Sequence, residues 1–187
     1  MATGTDAILS GAPVTATGGV LFGDTTVAAP TDATTALDPA WIKAGYIGED
    51  GVVRTTDASD EKIKAWGGST VKIVRTEHSI TYTFTFLESA NADVLKLIHG
   101  EENVTITGNK VKVNHTSKMP VRQSYVLDMA DADTKIREYV ADGQLATSGD
   151  VTFVHSDVIR YEVTIEAFPD ESDVKAISFI DGPVVTP

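Results

Sequence analysis

The sequence predicts a mainly β, antiparallel fold: a β-sandwich or partial barrel of about eight strands, with one flanking α-helix near residues 90–99 and an extended N-terminal arm. Three observations carry that prediction. Residues 78–88 alternate without a break, Ile80, Tyr82, Phe84 and Phe86 falling on one side and Ser79, Thr81, Thr83 and Thr85 on the other. Side chains in a strand alternate between faces, and aromatic or β-branched residues suit a half-buried pleat. Similar runs recur down the chain between Gly, Asn, Asp and Pro turn residues. Only one stretch has a strong helical period, so strands do not alternate with helices, which speaks against a parallel α/β architecture.

Taken in order, residues 1–38 read as an extended arm, rich in Ala, Thr, Gly, Val and Asp and poor in large apolar groups. Two readings stay open for it: a flexible tail, or an arm that orders on a neighbouring subunit. Within it Val20-Leu21-Phe22 is short enough to dock as an edge strand. Residues 39–182 read as a single β domain and 183–187 as a tail. Trp41 and Ile42 offer anchors, and Gly45–Gly48 and Gly51–Thr55 flank Glu49-Asp50 in a hairpin-like pattern. Thr55–Lys62 is polar and reads as an exposed loop, ending in Ile63–Trp66 and the breaker Gly67-Gly68. Val71, Ile73 and Arg75 then alternate with Lys72, Val74 and Thr76, a strand running almost directly into the one at 78–88.

Ala92, Leu95, Leu97 and Ile98 lie among helix formers, with Ser89 or Asn91 to cap the start and Gly100 the end. Val104–Thr107, Gly108-Asn109 and Val111–Val113 make a short hairpin. Val121–Met129 is a strand, Asp131–Asp133 a turn, and Ile136–Val140 pairs back until Asp142-Gly143 breaks it. Leu145–Thr152 reads as a connection, Ile159–Ala167 as the second long alternating strand, and Val174–Phe179 as the last.

Composition narrows the function. Fifteen basic residues stand against 27 acidic ones in 187, a formal charge of −12. Binding to phosphates needs clustered Lys and Arg, so this balance speaks against a nucleic-acid-binding surface. No cysteine is present, which removes disulfides and thiolate metal sites. No apolar run approaches the roughly 20 residues of a membrane span, and no basic-then-apolar leader opens the chain. The expectation is a soluble protein made in a cytoplasm, with no membrane partner.

No catalytic chemistry emerges. Phosphate-loop, G-x-G-x-x-G and G-x-S-x-G patterns are missing. His78, His99, His115 and His155 are scattered and read as ordinary strand-end or loop residues. Asp128, Asp131 and Asp133 lack the turn Gly and closing Glu of a calcium loop and read as a polar hairpin turn. No enzyme, cofactor or metal is expected.

Trp66-Gly67-Gly68, the strand Val71–Thr76, the alternating strand to Leu87-Glu88 and the helix Asn91–Gly100 together resemble the major tail proteins of long-tailed bacteriophages. The run Gly149–Phe153, Ser156–Ile159, Tyr161–Thr164 and Ala167–Asp170 adds to the likeness, which covers about residues 40–182. The resemblance implies a tail-tube β-sandwich with a flanking helix. It further implies six copies per ring, inner strands pooled into a continuous β-barrel, and rings stacked into a hollow tube for the genome. Partners implied are other copies of the chain and tape-measure, tail-tip and terminator proteins; DNA passes without specific binding. The place implied is the virion tail, assembled in the host bacterial cytoplasm.

Two sets of residues become candidates under that resemblance. Thr81, Thr83 and Thr85, or Glu162, Thr164 and Glu166, are candidates for lining the bore. Glu49, Asp50, Arg54, Asp57, Asp60 and Lys62 are candidates for a ring-to-ring contact loop, together with the N-terminal arm. The alternative is a monomeric β-sandwich binding module, such as a capsid decoration or carbohydrate-binding domain. Such a module displays clustered aromatics, whereas only Trp41, Tyr46 and Trp66 are free of the core pattern.

Overall fold

A computed structural model describes residues 8–182. Its elements are β1 (Ala12–Pro13), β2 (Val20–Gly23), β3 (Ile42–Lys43), β4 (Val53–Lys64), β5 (Thr70–Phe86), α1 (Ala92–His99), β6 (Val104–Thr107), β7 (Lys110–Val113), β8 (Gln123–Asp131), β9 (Thr134–Ser148), β10 (Tyr161–Phe168) and β11 (Ile177–Asp181). Nine strands form one antiparallel sheet in the order β3-β2-β8-β9-β10-β5-β4, with β1 added to β8 and β11 to β9. The sheet does not close into a barrel, and β6-β7 stand apart as their own hairpin. The fold is mainly β with one helix, as the periodicity predicts.

The main core explains the bend of the sheet. Val20 and Phe22 of β2, Tyr82, Phe84 and Phe86 of β5, Val163 and Ile165 of β10, and Val94, Leu97 and Ile98 of α1 belong to one buried cluster. Three strands separate β2 from β5 in the ladder order, so the sheet curls until its two halves face each other across shared apolar side chains. The helix seals one side. Asn91 caps it by accepting from the amides of Asp93 and Val94, and Gly100, at φ 90°, ends it.

A second cluster lies on the opposite side of the sheet, where Leu21, Trp41, Val126 and Tyr139 pack with Val27 and Leu37. Consecutive residues Tyr125 and Val126 are therefore both buried, one in each cluster. The segment from Asp24 to Trp41 covers this side, and buried Arg137 holds it down. Its guanidinium pairs with Asp128 at 3.0 and 3.2 Å and donates to the carbonyls of Asp32 and Thr35 at 3.0 and 2.8 Å. Asp128 is thereby committed to an ion pair.

Three expectations need correction. Val20–Gly23 is neither part of a free arm nor an edge strand: it is fully buried between β3 and β8. Its three large apolar residues alternate between the two cores, enough burial to order a short strand. Gly143 does not break the strand after Val140, because β9 continues to Ser148. A Cβ on Gly143 would come 2.8 Å from the Tyr125 ring, so this glycine makes room for a cross-strand aromatic and is not a turn residue. The polar run Thr55–Lys62 is strand, not loop.

Phe86 is fully buried. Phe86→Ala is expected to lower stability by about 3–5 kcal/mol through lost transfer energy and a residual cavity, read from a denaturant midpoint by circular dichroism. His99, whose ring meets His115 edge-on at 4.7 Å, is held below its ordinary value of 6.5, first by burial and then by the neighbouring His115 charge. The folded chain thus resists a proton that the unfolded chain accepts, so stability is expected to fall as pH drops through 6.5. His99→Gln should flatten that part of the melting-temperature-versus-pH curve.

Candidate functional site

The two candidate bore faces turn out to be one face. β10 pairs with β5 in a register that sets Glu162 opposite Thr85, Thr164 opposite Thr83, and Glu166 opposite Thr81. The hydroxyls of Thr83 and Thr164 lie 3.0 Å apart in a hydrogen bond. On the far side of β5, Val53, Thr55 and Asp57 of β4 oppose Thr83, Thr81 and Ser79. The aromatic side of these strands is in the main core, so period two alone turns these hydroxyls and carboxylates outward. No basic residue interrupts this patch, and neither Glu162 nor Glu166 makes an ion pair among the described residues.

Toward the other end of the β4–β5 ladder the character changes. All twelve residues of β4 are exposed, and β5 has no buried residue before Tyr82. Pairing nevertheless continues to Lys64↔Thr70, so the two strands run out as a ribbon about 30 Å past Ser79. At its tip Gly68 donates to the Ala65 carbonyl at 2.8 Å and Ala65 to the Ser69 carbonyl at 2.8 Å. Gly68 sits at φ 85°, a conformation glycine adopts without strain. Trp66, at the outer corner of the turn, has its whole side chain in solvent.

The ring-contact candidates are therefore split. Glu49 and Asp50 sit at a turn closed by Gly51 donating to the Gly48 carbonyl, beside the Phe86 end of β5, where Ile47 bridges Phe86. The arms of that turn do not pair with each other as a hairpin; Gly48 and Val53 both pair along β5. Asp57, Asp60 and Lys62 lie on the ribbon, Asp60 taking Arg75 at 3.0 Å. Arg54 points to the opposite side from Val53 and Thr55 and reaches the Glu138 carboxylate at 2.6 Å within its own subunit.

Glu138 was not among the candidates read from the sequence. It is nearly buried, and it accepts from the Tyr82 hydroxyl at 2.8 Å, from Arg54 and from the Ser178 hydroxyl at 3.2 Å. These partners come from β5, β4 and β11, so one carboxylate bridges both halves of the curled sheet. Burial, then the Glu138 charge, pushes the Tyr82 phenol well up, while Glu138 raises Arg54. The signal that could have found it was slight: an acidic residue at an inward position of an alternating strand.

A model of the phage tail tube protein family matches residues 1–184. No curated protein sequence matches the chain. Among solved structures, it is similar to the tube-terminating cap of the anti-feeding prophage, at 8% identity and a TM-score of 0.46, covering 95% of this chain and 98% of that one. It is also similar to a chain of the sheath–tube complex of PVC, an extracellular contractile injection system in its extended state, at 10% identity and a TM-score of 0.48, covering 95% and 97%.

Glu138→Ala is expected to cost about 2–4 kcal/mol by stranding the Tyr82 hydroxyl and releasing Arg54, and Tyr82→Phe about 1–2. The double variant should fall short of the sum of the two losses, because both remove the same bond. Urea unfolding of the three variants measures this, and strict additivity would contradict a shared network.

Proposed function

The chain belongs to the phage tail tube protein family, and on that footing we propose that it is a structural subunit whose copies assemble into rings, six to a ring, that stack into the tube of a virion tail. Its face of Thr81, Thr83, Thr85, Glu162, Thr164 and Glu166 lines the bore through which the genome passes without specific binding. The protein acts by shape and charge and carries out no reaction. It is assembled in the host bacterial cytoplasm, and its further partners are the tape-measure, tail-tip and terminator proteins.

The observation that carries this reading is the union of the two candidate sets on one uncovered sheet face. A conduit for a polyanion requires a wall that does not hold it: hydroxyls and carboxylates give no cation for phosphates to condense on, and the acidic side chains repel them. The open sheet supports the same reading. Its edge strand β4 presents twelve exposed residues, and an uncovered edge invites pairing that ring closure would satisfy. The turn at Glu49-Asp50 and the β4–β5 ribbon, carrying Asp57, Asp60 and Lys62, are the contacts between rings. The exposed aromatics Tyr46, Trp66 and Phe153 lie on separate segments, which does not favour a carbohydrate-binding platform.

Negative-stain microscopy of the purified chain at high concentration should show six-fold rings or tubes, and a monomer under all conditions would contradict the proposal. Glu162→Lys/Glu166→Lys is expected to leave ring formation intact while lowering DNA ejection from complemented particles about tenfold or more, since two repelling charges per subunit become two attracting ones. Unchanged ejection would remove this face from the bore.

A further inference from the structure

Resting on the tube reading, we propose that the tip of the β4–β5 ribbon of one copy docks into an apolar groove of the next copy, with Trp66 as its anchor. The donor surface is unpartnered in the subunit. Trp66 is wholly exposed, and behind it Val71 and Ile73 on one face of the ribbon and Ile63 on the other are 63%, 58% and 47% exposed. A ribbon of two strands with no third strand and no core beneath it is marginal in water, and a tip that exposes a tryptophan with apolar residues on both faces behind it marks a contact surface.

The acceptor is a groove of about 540 Å³ between the chain at Gly11–Gly19 and the turn at Ile47–Val52, with Ile47, Val52, Leu127 and Met129 on its walls. Charge complementarity supports this occupant. Residues 62–76 carry Lys62, Lys64, Lys72 and Arg75 and no acidic residue, in a chain of net charge −12. Among the described residues none of the three lysines is in an ion pair, Arg75 alone being matched by Asp60. Glu49 and Asp50, equally unpaired, stand at the groove. An apolar tip flanked by lysines thus meets an apolar groove rimmed by carboxylates.

Position makes the contact intermolecular. The groove lies at the Phe86 end of β5, where Ile47 bridges Phe86, and the tip lies at its Thr70 end. Sixteen extended residues, about 50 Å, separate them, so a copy cannot fill its own groove. Donor and acceptor at opposite ends of one strand make a heterologous contact, which repeats along an axis instead of closing on itself.

The chain has no cysteine, so in Trp66→Cys/Val52→Cys only the two introduced thiols can pair. The single variants Trp66→Cys and Val52→Cys, which cannot extend beyond a dimer, serve as controls. Oxidation of this double variant after assembly should give a covalent ladder of multimers on a denaturing gel. Trp66→Glu is expected to raise the protein concentration needed for stacking about thirtyfold, the size of effect seen when an interface tryptophan is lost. Glu49→Lys/Asp50→Lys should do the same, with Lys64→Glu/Lys72→Glu restoring assembly when added to it. Wild-type tubes together with Trp66→Glu assembly at the wild-type concentration, or assembled double variant without a ladder, would overturn the docking and leave the tube reading standing. A wild-type chain that never assembles, with no intermolecular disulfide at any concentration, would overturn both.

Discussion

The register of the β4–β5–β10 ladder determines where every surface of this subunit lies. Tyr82, Phe84 and Phe86 are buried while Thr81, Thr83 and Thr85 look outward. A slip of one residue would exchange those faces, placing three hydroxyls in the core and three aromatic rings in solvent. Full burial of one such ring stabilises by about 2–3 kcal/mol, so the register is strongly held at the root. The same backbone continues without a break to Thr70. The distal ribbon, which has no core of its own, thereby inherits its direction from residues up to 16 positions away.

The Glu138 cluster solves a related problem. A curled sheet held by apolar contacts alone lets its halves slide, since dispersion contacts are individually weak and undirected. One carboxylate that accepts from Tyr82, Arg54 and Ser178 gives the closure a defined geometry. It also explains why an arginine stands on an exposed edge strand with its head turned inward: the stem crosses apolar surface, and the guanidinium meets the acceptor at the sheet's margin. Removing Glu138 leaves the buried Tyr82 hydroxyl without an acceptor, so these two groups act as a unit.

The legible parts of the sequence were those where one periodicity met one environment. The strand Ser79–Phe86, the helix with its Asn91 and Gly100 caps and the long strand ending at Phe168 all have a single buried side. The β6-β7 hairpin, exposed but for Val104 and the half-buried Val113, was legible from its Gly108-Asn109 turn. The illegible parts had two buried sides or none. Val20-Leu21-Phe22 feeds both cores, so it shows no alternation. Thr55–Lys62 feeds neither; a ribbon in solvent can carry Asp, Glu and Lys at every position, and it reads as a loop. Gly143 misled because a glycine that accommodates a ring is indistinguishable in sequence from one that turns the chain. The candidate face was legible in both its halves, but their union depends on β10 pairing with β5, and strand order is not written in periodicity.

Charge has a direction in this molecule as well as a sum. The net charge is −12, yet the ribbon tip is basic and the Glu49-Asp50 turn, at the opposite end of β5, is acidic. In a stack of proposed rings all facing the same way, each basic tip would approach the acidic end of its neighbour. Reversing one ring would bring like poles together, at a cost multiplied by the number of subunits in the ring. Exposed ion pairs are individually worth little, but a discrimination that repeats around a ring needs only a few tenths of a kcal/mol per copy to set polarity. The acidic wall proposed for the bore then has a consistent place in the same arrangement. The bases of the ribbon tip would then meet protein carboxylates, apart from the threonine and glutamate face proposed for the bore.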